Sequence, residues 1–180
     1  MVLERFRNVS SLAQAVGLYL VGKTQSSFRT QGRGGISWAP RGVPNRIGVL
    51  LDLQAGRVPP ARRFEARPAA IDTGRLRSSI TYRVQGNTVT VGTNVAYASD
   101  VQRGSTKTIT IDRGLRQALA EWLRSLSGAR RSAMRQSFGF LFSTGSLSVT
   151  VPPRPFLLLT AEDRRMISDL ARKFFSSGGA

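Results

Sequence analysis

Residues 73–94 read TGRLRSSITYRVQGNTVTVGTN, and this pattern predicts a β-hairpin. Apolar and polar residues alternate on both sides of Gly86-Asn87, a pair typical of a two-residue turn. A turn at this position sets a register in which Val84 faces Val89 and Tyr82 faces Val91. Both pairs then lie on one face of the hairpin, so the register agrees with the apolar pattern.

An amphipathic helix is predicted at each end of the chain, and each has one apolar face. The N-terminal stripe repeats every three or four residues and consists of Val2, Phe6, Val9, Ala13, Val16 and Leu20. This helix can extend to Phe28, with Gly32 as its stop. The C-terminal helix begins with a capping box of Thr160 and Asp163. Its predicted buried face is formed by Met166, Ile167, Leu170 and Phe174.

The segments on either side of the hairpin differ in composition. Residues 31–68 are rich in glycine, proline and arginine, and only Ile47–Leu53 has the pattern of a short element. We therefore expect an extended basic loop there. After the hairpin, Val95–Val101 predicts a short helical or turn segment ending near Gly104, and Lys107–Ile111 predicts a third strand.

Residues 112–150 are predicted to contain a helix, a basic helix-compatible stretch from Ser127 to Gln136 and a second hairpin. Asp112 caps this helix, and its apolar face consists of Leu115, Leu119, Trp122, Leu123 and Leu126. Alternation at Phe138, Phe140 and Phe142 predicts one strand, and alternation at Leu147, Val149 and Val151 predicts its partner. We expect a single domain over residues 1–180, to which the loop 31–68 and the insertion 112–150 are additions.

The composition excludes several classes of chemistry. The chain has no histidine and no cysteine, so disulfides, thiol nucleophiles and Ser-His-Asp triads are excluded. The formal charge is +17, and 24 of the 27 basic residues are arginine. This excess suits contact with phosphates, but a GC-rich genome would also raise arginine without selection for binding. No apolar run is long enough to cross a membrane, and the first 22 residues favour a structured helix over a signal peptide.

A few residues are candidates for chemistry or contact, each with a structural alternative. Asp72 and Asp100 could serve a hydrolase only if both lay in one cleft; otherwise Asp72 caps a turn and Asp100 lies in a short helix. Gly32–Gly35 partly resembles a phosphate loop or one arginine–glycine repeat, but a flexible loop explains it as well. Trp122 belongs to an apolar helix face, whereas Trp38 lies in the loop and is open to a contact role.

Three motif segments occur in a characteristic order. The first joins FRTQG at 28–32 to SWAP at 37–40, and the last is VPPRPFL at 151–157, ahead of the Glu162-Asp163 helix. Between them come DTGRLRSSI, VTVGTN, AYA and QRG within residues 72–104. Together they resemble tailed-phage virion morphogenesis proteins of the Mu G type, which are related to neck and tail-completion proteins. Where that family often has His-Gln, this chain has Val101-Gln102.

The resemblance implies an α+β fold in which an N-terminal and a C-terminal helix pack on a small antiparallel sheet. It also implies a non-catalytic protein without a cofactor. Copies would assemble as a six- or twelve-fold ring at the head–tail junction or the top of the tail. The implied partners are portal or adaptor proteins, tail terminator or tail tube proteins, and packaged double-stranded DNA held without base readout. The implied location is the virion, with assembly in the host cytoplasm and no membrane contact.

Residues that match the family's motifs are expected to have structural roles: Asp72, Thr73, Gly74, Leu76, Gly92, Tyr97, Gly104, Arg154, Pro155 and Phe156. The candidates for contact with DNA or a protein partner are arginines of the basic loop: Arg57, Arg62, Arg63 and Arg67. The alternative function is a sequence-independent nucleic-acid-binding protein of a mobile element. That alternative predicts salt-dependent DNA affinity and no ring.

Overall fold

The computed structural model describes residues 2–42 and 45–176 and combines helices with short antiparallel strands. The helices are α1 (Val2–Thr30), α2 (Arg46–Gln54), α3 (Arg75–Ser78), α4 (Ala98–Arg103), α5 (Arg113–Ser125), α6 (Gly128–Phe138) and α7 (Ala161–Ser176). The strands are β1 (Gly32–Arg33), β2 (Ile36–Ser37), β3 (Thr81–Gln85), β4 (Thr88–Gly92), β5 (Ser105–Thr110) and β6 (Ser146–Val151). They pair as β1–β2, β3–β4 and β5–β6. The predicted α+β class is confirmed, although the strands form separate two-stranded sheets.

The chain divides into two compact units, each built from segments that are distant in the sequence. Unit 1 consists of Met1–Ala39, Pro68–Arg103 and Pro153–Ala180, and unit 2 consists of Pro40–Arg67 and Gly104–Pro152. Most of the predicted loop and the whole predicted insertion therefore fold together as unit 2. That the chain is a single domain stays a prediction.

The β3–β4 hairpin of unit 1 has the predicted register. Tyr82 pairs with Val91 and Val84 pairs with Val89. The hairpin packs against α1, and Gly17 makes the close approach possible, because a Cβ at this position would lie 2.2 Å from Cδ2 of Tyr82. A glycine inside a helix is otherwise unfavourable, so its place here is explained by the ring that it admits.

The core of unit 1 joins the three motif segments. Phe28 and Trp38 come from the first, Leu76 from the second and Phe156 from the third, and all four side chains are buried. The Phe28 ring meets Trp38 edge-on at 5.3 Å between centroids and lies 5.4 Å from Phe156. The contact role considered for Trp38 is wrong, because the indole is only 5% exposed and packs in this core.

Helix α1 follows its predicted stripe in part. Ala13 is buried, and Val9, Val16 and Leu20 are half-buried. The predicted members Val2 and Phe6 lie outside the residues whose side chains the structure describes.

Helix α7 has the predicted capping box but not the predicted buried face. The Asp163 amide donates to the Thr160 hydroxyl at 3.1 Å, and the Thr160 amide donates to the Asp163 carboxylate at 2.8 Å. Met166, however, is 41% exposed, and Ile167, Leu170 and Phe174 are only half-buried. Asp163 is the buried residue of this helix, so α7 packs on α1 around a polar anchor and covers its apolar stripe only in part.

Unit 2 contains the second core. Val49, Leu50 and Leu53 of α2 pack there with a set contributed by the later elements: Ile109, Ile111, Leu115, Leu119, Trp122, Leu123, Phe138 and Leu141. The predicted element at Ile47–Leu53 and the core role of Trp122 are confirmed. The expected extended loop around that element is wrong, since 31–68 also holds the β1–β2 hairpin and a 3-10 turn at Ala61–Arg63.

The predicted second hairpin is also wrong. The third strand exists as β5, but its partner is β6, with Ile109 opposite Leu147. The predicted strand over Phe138–Phe142 is instead the last residue of α6 and a 3-10 turn at Gly139–Phe142, whereas the helix-compatible stretch at 127–136 does form the N-cap and most of α6. Phe138 and Leu141, three residues apart, are fully buried, so a helical period prevails over the alternation of phenylalanines. Asp112 caps α5 as predicted, accepting from the Leu115 amide at 2.8 Å.

None of the helices in the described part of the chain has the length and apolar content needed to cross a bilayer.

Candidate functional site

A buried ion pair joins Arg33 to Asp163 in unit 1. Their side chains are 6% and 2% exposed, and Nη2 of Arg33 donates to Oδ2 of Asp163 at 3.0 Å. Nε of Arg33 donates to the Leu158 carbonyl at 2.8 Å, and the Tyr19 hydroxyl donates to Asp163 at 3.2 Å. The pair therefore ties the β1–β2 hairpin, α1 and the start of α7 together. Two interpretations were considered for Gly32–Gly35, a phosphate-binding loop and a flexible loop. Because the Arg33 side chain is buried in this ion pair, it fits neither of them.

The electrostatics of this cluster keep Asp163 ionised. Burial alone would raise the pKa of Asp163, but the hydrogen bonds from Thr160 and the charge of Arg33 outweigh it. The pKa of this carboxyl therefore lies below its ordinary value. Burial, followed by the hydrogen bond to Asp163, raises the pKa of Tyr19, so the phenol stays a donor at neutral pH.

Two glutamines connect distant segments of unit 1 through backbone groups. Oε1 of Gln102 accepts from the amides of Phe156 and Leu157, both at 3.0 Å, and Nε2 donates to the Leu157 carbonyl at 3.2 Å. Gln31 accepts from the Ala69 amide and donates to the Ala69 carbonyl at 3.3 Å. Each side chain satisfies backbone groups that would otherwise lose water on burial.

Arg154 holds the corner before α7. Its Nε and Nη2 donate to the Ala39 carbonyl at 3.2 and 3.0 Å, and its amide donates to the Val101 carbonyl at 2.8 Å. Burial lowers the pKa of this guanidinium. Pro155 follows it, and Phe156 enters the core. The three motif segments are thus connected by Arg154, Gln31 and Gln102. Both glutamines lie within the motifs, but the sequence analysis assigned no role to either of them.

The remaining motif residues shape the turns of unit 1. Gly74 has φ +80° and precedes α3, and Gly104 has φ +75° and follows α4; both values favour glycine. Thr73 Oγ1 accepts from the Arg75 amide at 3.4 Å. Leu76 is buried, whereas Tyr97 is 43% exposed. Two further members are Asp72, half-buried before the turn, and Gly92, which ends β4 opposite Thr81.

Three of the four candidate contact arginines in unit 2 are ion-paired. Arg63 donates to the buried Asp52 at 2.8 Å, and Arg57 donates to the same carboxylate at 3.3 Å. Gly48 leaves the space for this pairing, since a Cβ there would lie 2.7 Å from Nε of Arg63. Burial would raise the pKa of Asp52, but these two arginines lower it overall. Arg67 pairs with Glu65 at 2.8 Å, and Arg62 accepts from Arg41 through its carbonyl.

A second group of arginines lies on α6 and at the end of α5. Its members are Arg124, Arg130, Arg131 and Arg135, all exposed. Arg130 lies over the Phe64 ring at 5.6 Å, and Arg131 donates to the carbonyls of Leu126 and Arg124, both at 2.7 Å. In the described part of the chain none of the four contacts a carboxylate. The sequence has no acid from Trp122 to Ala161.

Carboxylate chemistry finds little support in unit 1. Asp100 lies in the first turn of α4 and Asp72 precedes the turn before α3. Within residues 2–42 and 45–176, no three acids come together as a metal site would need. The hydrolase alternative, which would need Asp72 and Asp100 in one cleft, stays a hypothesis.

Comparison with known proteins identifies one family. A family model described as the phage virion morphogenesis family matches residues 1–176. No curated protein and no solved structure matches the chain. The match covers both units, including the loop and the insertion.

Proposed function

This chain belongs to the phage virion morphogenesis family, and we propose that it forms part of a ring at the head–tail junction or the top of the tail. In this role it joins head and tail and surrounds the path of the packaged DNA. Its place is the virion, after assembly in the host cytoplasm. The family membership itself makes it a phage morphogenesis protein; the ring, its position and the DNA are the proposal.

The observation that carries the proposal is the partly exposed apolar stripe of α7. Met166 is 41% exposed, and Ile167, Leu170 and Phe174 are half-buried, so this face keeps apolar surface open to a partner. An amphipathic helix normally packs its apolar face against another element, and continuous exposed apolar surface marks an interaction site. A second copy of the chain would cover this stripe. A head-to-tail contact of this kind closes into a ring when the rotation between copies fits.

The partners in this proposal are the neighbours of such a ring. Portal or adaptor proteins would lie on the head side, and tail terminator or tail tube proteins on the tail side. The ring would be six- or twelve-fold. The formal charge of +17 favours binding to an acidic protein surface and also binding to the phosphates of DNA.

Complementation of a phage that lacks this protein tests the proposal. Electron microscopy of the lysate would count joined particles, free heads and free tails. The wild-type chain should restore joined particles, and Met166→Arg should not, because an arginine in the stripe opposes contact with another copy. Ser168→Arg is the matched control, since Ser168 is exposed beside Arg164 and Arg165, away from the stripe. Joined particles at wild-type numbers with Met166→Arg would contradict the interface.

The arginines of α6 contact no carboxylate in the described part of the chain. This observation favours a second candidate function, a sequence-independent nucleic-acid-binding protein of a mobile element. Deleting residues 31–68 cannot distinguish the two candidate functions, because the deletion would damage both units. Arg33 and Trp38 are buried in unit 1, and α2 packs in the core of unit 2. Particle content separates them instead. The second candidate predicts that the chain binds DNA but is absent from purified particles.

A further inference from the structure

We propose that the surface formed by α6 and the end of α5 is where this protein holds the phosphate backbone of double-stranded DNA. The proposal deepens the function given above and rests on it for the duplex being the packaged genome. It moves the contact away from Arg57, Arg63 and Arg67, whose guanidiniums are paired with Asp52 or Glu65.

The first step of the argument is the balance of charge in unit 2. Arg124, Arg130, Arg131 and Arg135 are exposed and contact no carboxylate among the described residues. Their contacts are an aromatic ring and backbone carbonyls, and none of these groups carries a full negative charge. A strongly basic, acid-free surface attracts a polyanion.

The second step is that α6 breaks the usual rules of helix electrostatics. Arg130 and Arg131 lie near its N-terminus, where the helix dipole favours acids, and no acid is present there. Arg131 and Arg135 are four residues apart, a spacing at which like charges are unfavourable, although Arg131 turns its guanidinium to the last carbonyls of α5. Local sequence choices that oppose the fold are found where function requires them. A bound polyanion would turn this unfavourable arrangement into a favourable one.

The third step distinguishes phosphate from an acidic protein. The other exposed residues of α6 are small or polar: Gly128, Ala129, Ser132, Ala133 and Gln136. A protein interface is usually centred on large apolar or aromatic anchors, and this helix exposes none among its described residues. Serine and glutamine donate readily to phosphate oxygens, and short side chains allow the backbone of a duplex to approach closely.

Fluorescence anisotropy with a labelled 30-base-pair duplex of mixed sequence tests the proposal on the full chain. The double variant Arg131→Gln/Arg135→Gln should bind about tenfold more weakly than wild type at 0.1 M salt. It should also lower the slope of log affinity against log salt by about 1.8, since each phosphate contact contributes about 0.9. The control Arg75→Gln/Arg77→Gln removes the same charge from exposed positions on α3 and should change affinity less than twofold.

Several outcomes would overturn the proposed DNA-binding surface. One is an equal loss of DNA affinity in both double variants, because net charge alone would then explain binding. A second is wild-type protein whose DNA affinity does not depend on salt. A third is an α6 variant that keeps its DNA affinity but fails to enter particles, since that result would indicate a protein partner for α6. If the double variant loses helicity in circular dichroism, Arg135→Glu replaces it, because the Arg135 side chain has no partner in the described chain.

The failure of this inference differs from the failure of the proposed function. If the α6 variant enters particles at wild-type copy number and binds DNA normally, only the surface is wrong. If wild-type chain is absent from particles but its α6 surface binds DNA, the ring is wrong and the DNA surface stands.

Discussion

Replacing Gly17 by alanine should destabilise the protein, although the same change elsewhere in α1 should stabilise it. Alanine at a permissive helix position gains about 0.5–1 kcal/mol over glycine. At position 17 the new Cβ would lie 2.2, 2.6 and 2.7 Å from three ring atoms of Tyr82, whereas carbons in contact prefer about 3.5–4.0 Å. The ring must therefore move by roughly 1 Å or more, and overpacking of this kind costs about 1–3 kcal/mol.

The expected net change for Gly17→Ala is a loss of up to about 2.5 kcal/mol in the free energy of unfolding. Gly22→Ala is the matched control, since no described residue lies within 4 Å of its Cβ position; it should gain about 0.5–1 kcal/mol. Urea denaturation followed by circular dichroism measures both. In a Tyr82→Ala background, Gly17→Ala should become stabilising. A stabilising Gly17→Ala in the wild-type background would refute the packing of the hairpin on α1 at this position.

Three further predictions concern the polar contacts. Asp163→Asn should cost about 3–5 kcal/mol by leaving Arg33 buried without its partner, and adding Arg33→Met should recover part of that loss in thermal melts. The pKa of Asp163 is lowered in the folded protein. Its contribution to the free energy of unfolding is therefore complete above the unfolded pKa of about 3.9 and disappears as the pH falls through the folded value. In Asp163→Asn this acid-dependent part of the pH–stability curve should be smaller. Gln102→Met should cost about 1–3 kcal/mol by leaving the amides of Phe156 and Leu157 unpaired, while Gln117→Met, which loses only an exposed bond to Glu121, should stay within about 0.5 kcal/mol; equal effects in chemical denaturation would contradict the role of Gln102.

Local patterns predicted several elements well because their determinants are local. The β3–β4 register follows from the Gly86-Asn87 turn and the alternation around it. The Asp112 cap and the Thr160–Asp163 capping box depend on residues three positions apart. The family resemblance, carried by three ordered motifs, agrees with the match over residues 1–176.

The errors arose where distant residues determine the structure. Alternation at Phe138, Phe140 and Phe142 resembles a strand, but burial of Phe138 and Leu141 against α2 and α5 requires helical spacing. The loop 31–68 is predicted to be extended because the core partners of its helix α2, from Ile109 to Leu141, are distant in the sequence. The pairing of Arg33 with Asp163 spans 130 residues, so the sequence showed a capping residue and a loop arginine but not their contact.

Quantitative mass spectrometry of purified particles, with heads and tails separated, tests the central claim most directly. A ring at the junction predicts a low, fixed copy number per particle, in the range of one six- or twelve-fold ring, in one of the two fractions. The fraction that carries the protein would assign it to the head side or the tail side. Absence from both fractions would contradict a structural place in the virion and leave DNA binding as the leading function.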